Sequence, residues 1–148
     1  MPRLHDAKVR DEIKARVRAV KADAAPRFGS MTVDQMMWHV STAIELALGR
    51  FEPREEKAPA PLPKPVLRFV VLNLPWPKGA PTASVMKVSA RHDLEAERER
   101  CLALIDEFTA RPIDGQWPID GRLGSMSGVD YSRLEAKHLD HHLKQFGV

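Results

Sequence analysis

The chain has 148 residues, of which 43% are hydrophobic, a size and composition that predict one globular domain over residues 1–148. Its formal net charge is +3, from 23 basic and 20 acidic residues, and the two signs are mixed along most of the chain. We therefore expect no nucleic-acid binding. A single cysteine, Cys101, excludes an internal disulfide and any multi-cysteine metal cluster. The charged N-terminal region and the absence of a long apolar run predict a cytoplasmic protein without a membrane span.

The first helical pattern extends from about Asp6 to Lys21. Its apolar residues recur at intervals of four, four and three, and basic residues stand between them. This spacing predicts an amphipathic helix with a basic outer face. The apolar positions are Val9, Ile13, Val17 and Val20.

The second pattern begins with the clearest helix-start signal in the chain. Thr32 followed by Gln35 forms a capping box, and Gly49 predicts an end after Leu48. Helical spacing places His39 among the positions that face inward. The other expected inward positions are Met36, Val40, Ala43, Leu46 and Ala47.

A proline-rich stretch, residues 52–82, separates this pattern from the next. It contains eight of the twelve prolines, which excludes a continuous helix and predicts a long crossover. Within it, residues 66–72 are apolar and partly β-branched. A strand is one alternative, but without a second convincing strand the pattern favours a short helix or a segment packed over the other helices.

The third pattern extends from about Ser89 to Ala110, where Pro112 follows. Cys101 lies on its apolar side, so we interpret this cysteine as a core residue rather than a nucleophile. Together with a fourth helical pattern near the C-terminal end of the sequence, these patterns predict an all-α fold. It is an up-down-down-up-type four-helix bundle with the crossover between the second and third helices.

The fourth pattern opens near Ser127 or Asp130, either of which could cap a helix. One stripe of this helix would contain Tyr131, Leu134, His138, His142 and Gln145.

His138 and His142 stand four apart on this predicted helix, so their imidazoles project from one face about a turn apart. That arrangement suits two ligands of one divalent ion, and a third ligand is then required. His39 is the candidate, since cofactor sites in bundles are built from side chains that face inward from different helices. We call His39, His138 and His142 the histidine triad. The alternative is that these residues are ordinary surface or core histidines.

Other residues are weaker candidates. His141 points about 100° away from His142 and is better placed beside the site or on the surface. Glu45 is a weak fourth-ligand candidate. Three imidazoles suit zinc, nickel, copper, cobalt or iron, so the spacing does not select the metal.

Four motifs make the chain similar to a known bacterial family. The segments Met31-Thr-Val-Asp-Gln-Met-Met-Trp-His39, Leu74-Pro-Trp-Pro-Lys-Gly-Ala-Pro81, Trp117-Pro and His138-Leu-Asp-His-His-Leu-Lys-Gln-Phe-Gly147 resemble a family within the DinB-like (DinB/YfiT-like metalloenzyme) superfamily. The resemblance implies a four-helix bundle with a long crossover, often dimeric. It also implies a zinc or nickel ion held by one histidine of the second helix and two of the last, which correspond to the histidine triad.

The resemblance further implies a function class. Relatives include thiol-dependent transferases and isomerases that use low-molecular-weight thiols such as mycothiol or bacillithiol. We expect a small-molecule substrate, with His141, Gln145, Trp76 and Asp120 beside the ligands or around the pocket. The chain departs from the family in one region, because Asp120-Gly-Arg-Leu-Gly124 replaces a His-Pro-x-Phe-Gly turn and Tyr131 replaces a tryptophan. Asp120 could substitute for the absent histidine.

Two hypotheses follow from the sequence. The first is a metal-dependent enzyme, a thiol-dependent S-transferase or a hydrolase, that uses the histidine triad and acts as a homodimer. The second is a non-catalytic helical bundle, a stress or interaction protein in which the metal site is structural or vestigial.

Overall fold

The structure is a computed structural model, which describes residues 1–50, 62–79 and 88–148. Within these ranges it consists of helices and irregular segments, with no strand. The helices are α1 (Ala7–Ala19), α2 (Val33–Ala47), α3 (Lys64–Asn73), α4 (Leu94–Ala110) and α5 (Gly128–Gln145). The predicted all-α fold is therefore confirmed. In the same ranges no helix combines the length and apolarity that crossing a bilayer requires.

The four long helices form a closed ring around one hydrophobic core. Helix α4 packs between α1 and α2, and α5 packs between the same two helices on the opposite side. This ring is the predicted four-helix bundle, in which α2 and α5 are neighbours. Their contact matters because these two helices carry the histidine triad.

The short helix α3 lies within the predicted crossover and packs against α5. Of the two forms expected for residues 66–72, the structure has the helix. Pro65 in its first turn is compatible with a helix start, because the missing proline N–H would have no intrahelical partner there. Residues 52–61 and 80–82 of the predicted crossover lie outside the described residues.

Helix starts follow the polar signals of the sequence, with one correction. The backbone N–H of Thr32 donates to Gln35 Oε1 at 3.0 Å, as the capping box predicts. Ser127 caps α5, because Ser127 Oγ accepts from the N–H of Asp130 at 3.1 Å. The predicted start of the third pattern near Ser89 is wrong, since α4 begins at Leu94. Asp93 Oδ1 accepts from the N–H of Ala96 there, and this cap sets the boundary.

Helix α2 is buried on nearly all sides. Its predicted inward residues Met36, His39 and Val40 are buried, whereas Leu46 is only half-buried. Met37 and Ile44, outside the predicted stripe, are fully buried as well. The reason is that α2 contacts both α4 and α5, so more than one stripe of its surface is covered.

Asp34 connects the start of α2 to the segment before α4. Its carboxylate accepts from the Arg91 guanidinium at 3.0 Å and from the N–H of His92 at 2.8 Å. Burial of Asp34 opposes ionisation, but the hydrogen bonds from Arg91 and His92 outweigh it and hold the pKa of this carboxyl well below its usual range.

The Asp34→Asn variant is expected to lose stability in a pH-dependent way. Because the pKa of Asp34 is depressed in the folded state, its contribution is fully present above the unfolded pKa of about 4 and decreases as pH falls below it. Urea unfolding at about pH 7 and pH 3 should therefore show a difference from wild type that narrows in acid. Asp11→Asn, an exposed control, should show no such change. If Asp34→Asn lowers the free energy of unfolding by the same amount at both pH values, the depressed pKa of Asp34 is contradicted.

Candidate metal centre

Helices α2 and α5 bring the three side chains of the histidine triad together in the core. The ring centroids are 4.8 Å apart for His39 and His138, 4.7 Å for His39 and His142, and 4.8 Å for His138 and His142. One nitrogen from each ring lies within 4.8 Å of the other two, so the three can hold a metal ion. The side chains are buried, with exposed fractions of 4%, 8% and 9% in chain order.

Two of the rings are joined by a hydrogen bond. The Nε2 atoms of His39 and His138 are 2.9 Å apart, so one of them donates a proton and the other accepts it. A metal ion bound by both rings would replace this shared proton, because each ligating nitrogen must offer its lone pair. The geometry thus directs the Nε2 edges of both rings toward one point.

The third ring is oriented by Gln145 and by the chain segment before α2. Gln145 Nε2 donates to the carbonyl of Phe28 at 2.8 Å, which directs Gln145 Oε1 to His142 Nδ1 at 2.7 Å. Since a carbonyl oxygen only accepts, Nδ1 of His142 carries the proton and its Nε2 keeps the lone pair. His142 is thereby held in the tautomer that binds a metal through Nε2.

Burial keeps the imidazoles of His138 and His142 neutral. It lowers the pKa of His138 well below its usual value, and the nearby His142 and His39 add to the effect. Burial, followed by the proximity of His39, lowers the pKa of His142 to about 3. Neutral imidazole is the form that binds a metal ion, so the donor set fits a divalent cation at physiological pH.

Glu135 is a buried acidic residue beside the triad, and it was not among the site residues expected from the sequence. It is 3% exposed, and its Oε2 atom lies 4.0 Å from Nδ1 of His138. Among the described residues this oxygen has no hydrogen-bond partner. Burial, with a contribution from Asp120, raises the pKa of Glu135 to about 8. The signal that could have found it is the Glu-x-x-His spacing, which places both side chains on one helix face.

A comparison with known protein families identifies the family of the chain. The family model described as the DinB superfamily matches residues 7–146, almost the whole chain. The chain belongs to the DinB superfamily. No curated protein and no solved structure gives a significant match. The resemblance noted in the sequence is confirmed, and a DinB-superfamily chain with three clustered histidines can be a metal-binding protein.

The rings of Trp76 and His141 lie next to the histidine triad. The Trp76 ring lies 5.8 Å from that of His138 and 5.6 Å from that of His141, measured between centroids. His141 also contacts the rings of Phe28 at 5.2 Å and His142 at 5.0 Å. Both residues therefore lie beside the triad, and His141 is only half-buried.

Asp120 and Tyr131, where the resemblance implied a departure from the family motif, lie just before α5 and in its first turn. Asp120 Oδ1 accepts from the N–H groups of Arg122 and Leu123, both at 2.7 Å, so this oxygen is engaged in its own turn. Tyr131 stacks on Trp117 with 5.7 Å between ring centroids and donates to the carbonyl of Pro118 at 2.8 Å. A role for Asp120 in substrate binding stays a prediction.

Two further residues considered in the sequence have other surroundings. Cys101 is fully buried, and burial raises the pKa of its thiol to about 12, so it is not a thiolate at neutral pH. Glu45 accepts from the Arg100 guanidinium at 2.8 Å. It is not among the residues that the structure groups with the triad.

Proposed function

We propose that this protein is a metal-dependent enzyme in which His39, His138 and His142 bind one divalent ion, zinc or nickel. The observation that carries the proposal is the convergence of three buried imidazoles from two helices on one point, with the pKa values of His138 and His142 lowered by burial. A divalent cation would take one lone pair from each ring, in place of the proton that His39 and His138 share.

The donor set also supports a catalytic rather than a purely structural ion. Catalytic zinc sites commonly have three protein ligands and keep a further position for water or substrate. When bound, the ion supplies Lewis acidity, which lowers the pKa of a coordinated water or thiol. In the protein, Gln145 holds His142 in its metal-binding tautomer, and Trp76 and His141 shield one side of the centre.

The reaction class that we propose is thiol-dependent S-transfer, with hydrolysis as the other option. It rests on the resemblance to thiol-using DinB-like enzymes, so a low-molecular-weight thiol would be the cosubstrate of a small-molecule substrate. The fully buried Cys101 is not available as a nucleophile, which fits an external thiol.

The deep burial of the triad favours one alternative, a non-catalytic bundle whose metal is structural. A structural ion has a closed coordination shell, whereas a catalytic ion exchanges a ligand with solvent. The two functions therefore differ in whether a small ligand can reach the bound ion.

Cobalt substitution tests both functions. Metal-free protein is titrated with Co²⁺ while the visible d–d absorption is recorded, and 2-mercaptoethanol or azide is then added. We expect one equivalent of Co²⁺ to bind and the added ligand to change the spectrum. Binding of one equivalent with no spectral response to either ligand would favour the structural site. No Co²⁺ binding would contradict a metal function altogether.

Gln145→Ala is expected to weaken metal binding about 10- to 100-fold, the usual effect of losing a hydrogen-bond partner of a ligand. Without the amide, His142 Nδ1 has no fixed acceptor and its ring loses its preferred tautomer. Competition titration with a chromophoric chelator measures the affinity. Lys144→Ala, an exposed neighbour on α5, is the matched control and should leave it unchanged. Equal affinity in the Gln145 and Lys144 variants would contradict the role given to the amide.

The proposal also covers the location, domain organisation and assembly of the protein. We place the protein in the cytoplasm, as a single domain over residues 1–148 that pairs into a homodimer and does not bind nucleic acid. Light scattering coupled to gel filtration tests the dimer, and a monomer at micromolar concentration would contradict it.

A further inference from the structure

We propose that Glu135 is the positioning residue for His138. Its carboxylate accepts a hydrogen bond from Nδ1–H of His138 when Nε2 of the same ring binds the metal ion. This inference rests on the proposed function, and it assigns a role to a buried acidic residue that the ligand set leaves unexplained.

The orientation of the His138 ring is the first support. Its Nε2 faces His39 Nε2 at 2.9 Å, so its Nδ1 lies on the opposite edge of the ring, away from the metal centre. Glu135 Oε2 is 4.0 Å from that Nδ1. The residue lies three positions earlier on α5, so both side chains share one helix face. A small side-chain rotation closes the remaining gap of about 1 Å to hydrogen-bonding distance.

The unsatisfied oxygen of Glu135 is the second support. Glu135 is 3% exposed, and its Oε2 finds no hydrogen-bond partner among the described residues. Buried polar atoms of native proteins nearly always have one, so such an atom calls for an explanation. A neutral His138 ring that offered the Nε2 lone pair to a metal would carry its proton on Nδ1, and that N–H is the absent donor.

The charge of the site is the third support. Three imidazole ligands bring no negative charge to a divalent ion, and an acidic residue hydrogen-bonded to a ligating histidine is a common partner in metal sites. The two ligands on α5 would then have different partners. His142 donates to the neutral amide of Gln145, and His138 would donate to the carboxylate of Glu135.

Glu135 acts through the histidine rather than on a substrate. The His138 ring stands between its carboxylate and the point where the triad converges, because Nε2 faces that point and Nδ1 faces Glu135. For this reason we describe it as a positioning residue.

The test compares metal affinity in wild type, Glu135→Gln and Glu135→Ala by Zn²⁺ competition titration with a chromophoric chelator. We expect affinity to fall about tenfold in Glu135→Gln, which keeps the shape and a weaker acceptor, and about 100-fold in Glu135→Ala. Glu45→Gln is the matched control, since it makes the same change on α2 at a residue paired with Arg100, and it should bind Zn²⁺ like wild type. Thermal unfolding of the metal-free proteins is recorded in parallel.

A second readout reports on the hydrogen bond itself. In ¹⁵N-labelled, Zn²⁺-loaded wild type, the Nδ1–H proton of His138 should resonate downfield of its position in Glu135→Gln, because a carboxylate is the stronger acceptor. A purely structural role of Glu135 would change thermal unfolding without changing this signal or the affinity.

The outcomes separate this inference from the proposed function. A wild-type protein that binds no Zn²⁺ overturns both together. A wild type that binds one ion, beside a Glu135→Gln variant with affinity within about twofold and an unmoved Nδ1–H signal, overturns the role of Glu135 alone.

Discussion

His39→Ala is expected to abolish stoichiometric metal binding. His39 is the only member of the triad on α2, and its Nε2 lies 2.9 Å from Nε2 of His138, so its removal leaves two ligands from a single helix. Two imidazoles hold a divalent ion far more weakly than three. We therefore expect metal affinity to fall by more than the roughly 100-fold that follows removal of a ligand's hydrogen-bond partner. Mass-spectrometric metal analysis of protein purified without a metal-affinity tag should give about one equivalent in wild type and almost none in the variant.

Two histidine controls distinguish loss of a ligand from general damage. His141→Ala removes a ring that contacts His142 but is outside the triad, and His92→Ala removes a ring stacked on Trp38. Both should keep about one equivalent of metal. His142→Ala should lose it as His39→Ala does. Stoichiometric metal in the His39→Ala protein, with its helical circular dichroism intact, would refute the ligand set.

Gly128→Ala is expected to destabilise the protein by about 3 kcal/mol, although glycine-to-alanine changes in helices usually stabilise by up to about 1 kcal/mol. Gly128 is the first residue of α5, and a Cβ there would lie 2.0 Å from the carbonyl oxygen of Ile113 and 2.3 Å from Trp117 Nε1. The first of these atoms is backbone, so the 112–118 segment would have to move. Chemical denaturation measures the change, and a fall in melting temperature of about 10 °C should accompany it.

Val129→Ala is the matched control for this prediction. It lies one residue further along α5 and is 39% exposed, so shortening its side chain should change stability by less than about 0.5 kcal/mol. A Gly128→Ala protein as stable as wild type would show that the 112–118 segment is not packed as closely on α5 as the structure has it.

The predictability of the fold differed between helices. Boundaries with a side-chain cap in the sequence, at Thr32 and Ser127, were predicted well, because capping is a local interaction. The start of the third pattern was predicted five residues early, since Ser89 and Asp93 are both plausible caps by local criteria. The contact of Asp34 with Arg91 and His92, which holds the segment before α4 against α2, connects residues far apart in sequence and left no local signal.

In the candidate site, too, the residues with a local sequence signal were predicted and the residue placed by long-range packing was not. The histidine triad followed from the four-residue spacing of His138 and His142 and from the inward position of His39. Glu135 was missed because a glutamate on a helix is by default a solvated residue, and only the packing of the bundle shows that its carboxylate is buried.

The amino-acid sequence by itself determined the helical class, the long proline-rich crossover, the family and the three histidines, because periodicity, proline content and ligand spacing are properties of neighbouring residues. Only the tertiary structure decided that α2 and α5 are neighbours and that Gln145 connects His142 to the Phe28 carbonyl. It also decided that Glu135 Oε2 lies 4.0 Å from His138 Nδ1, with no hydrogen-bond partner among the described residues. These facts depend on which helix faces meet in the core. That choice is made by the packing of the whole chain, since side chains distant in sequence must fill the same space.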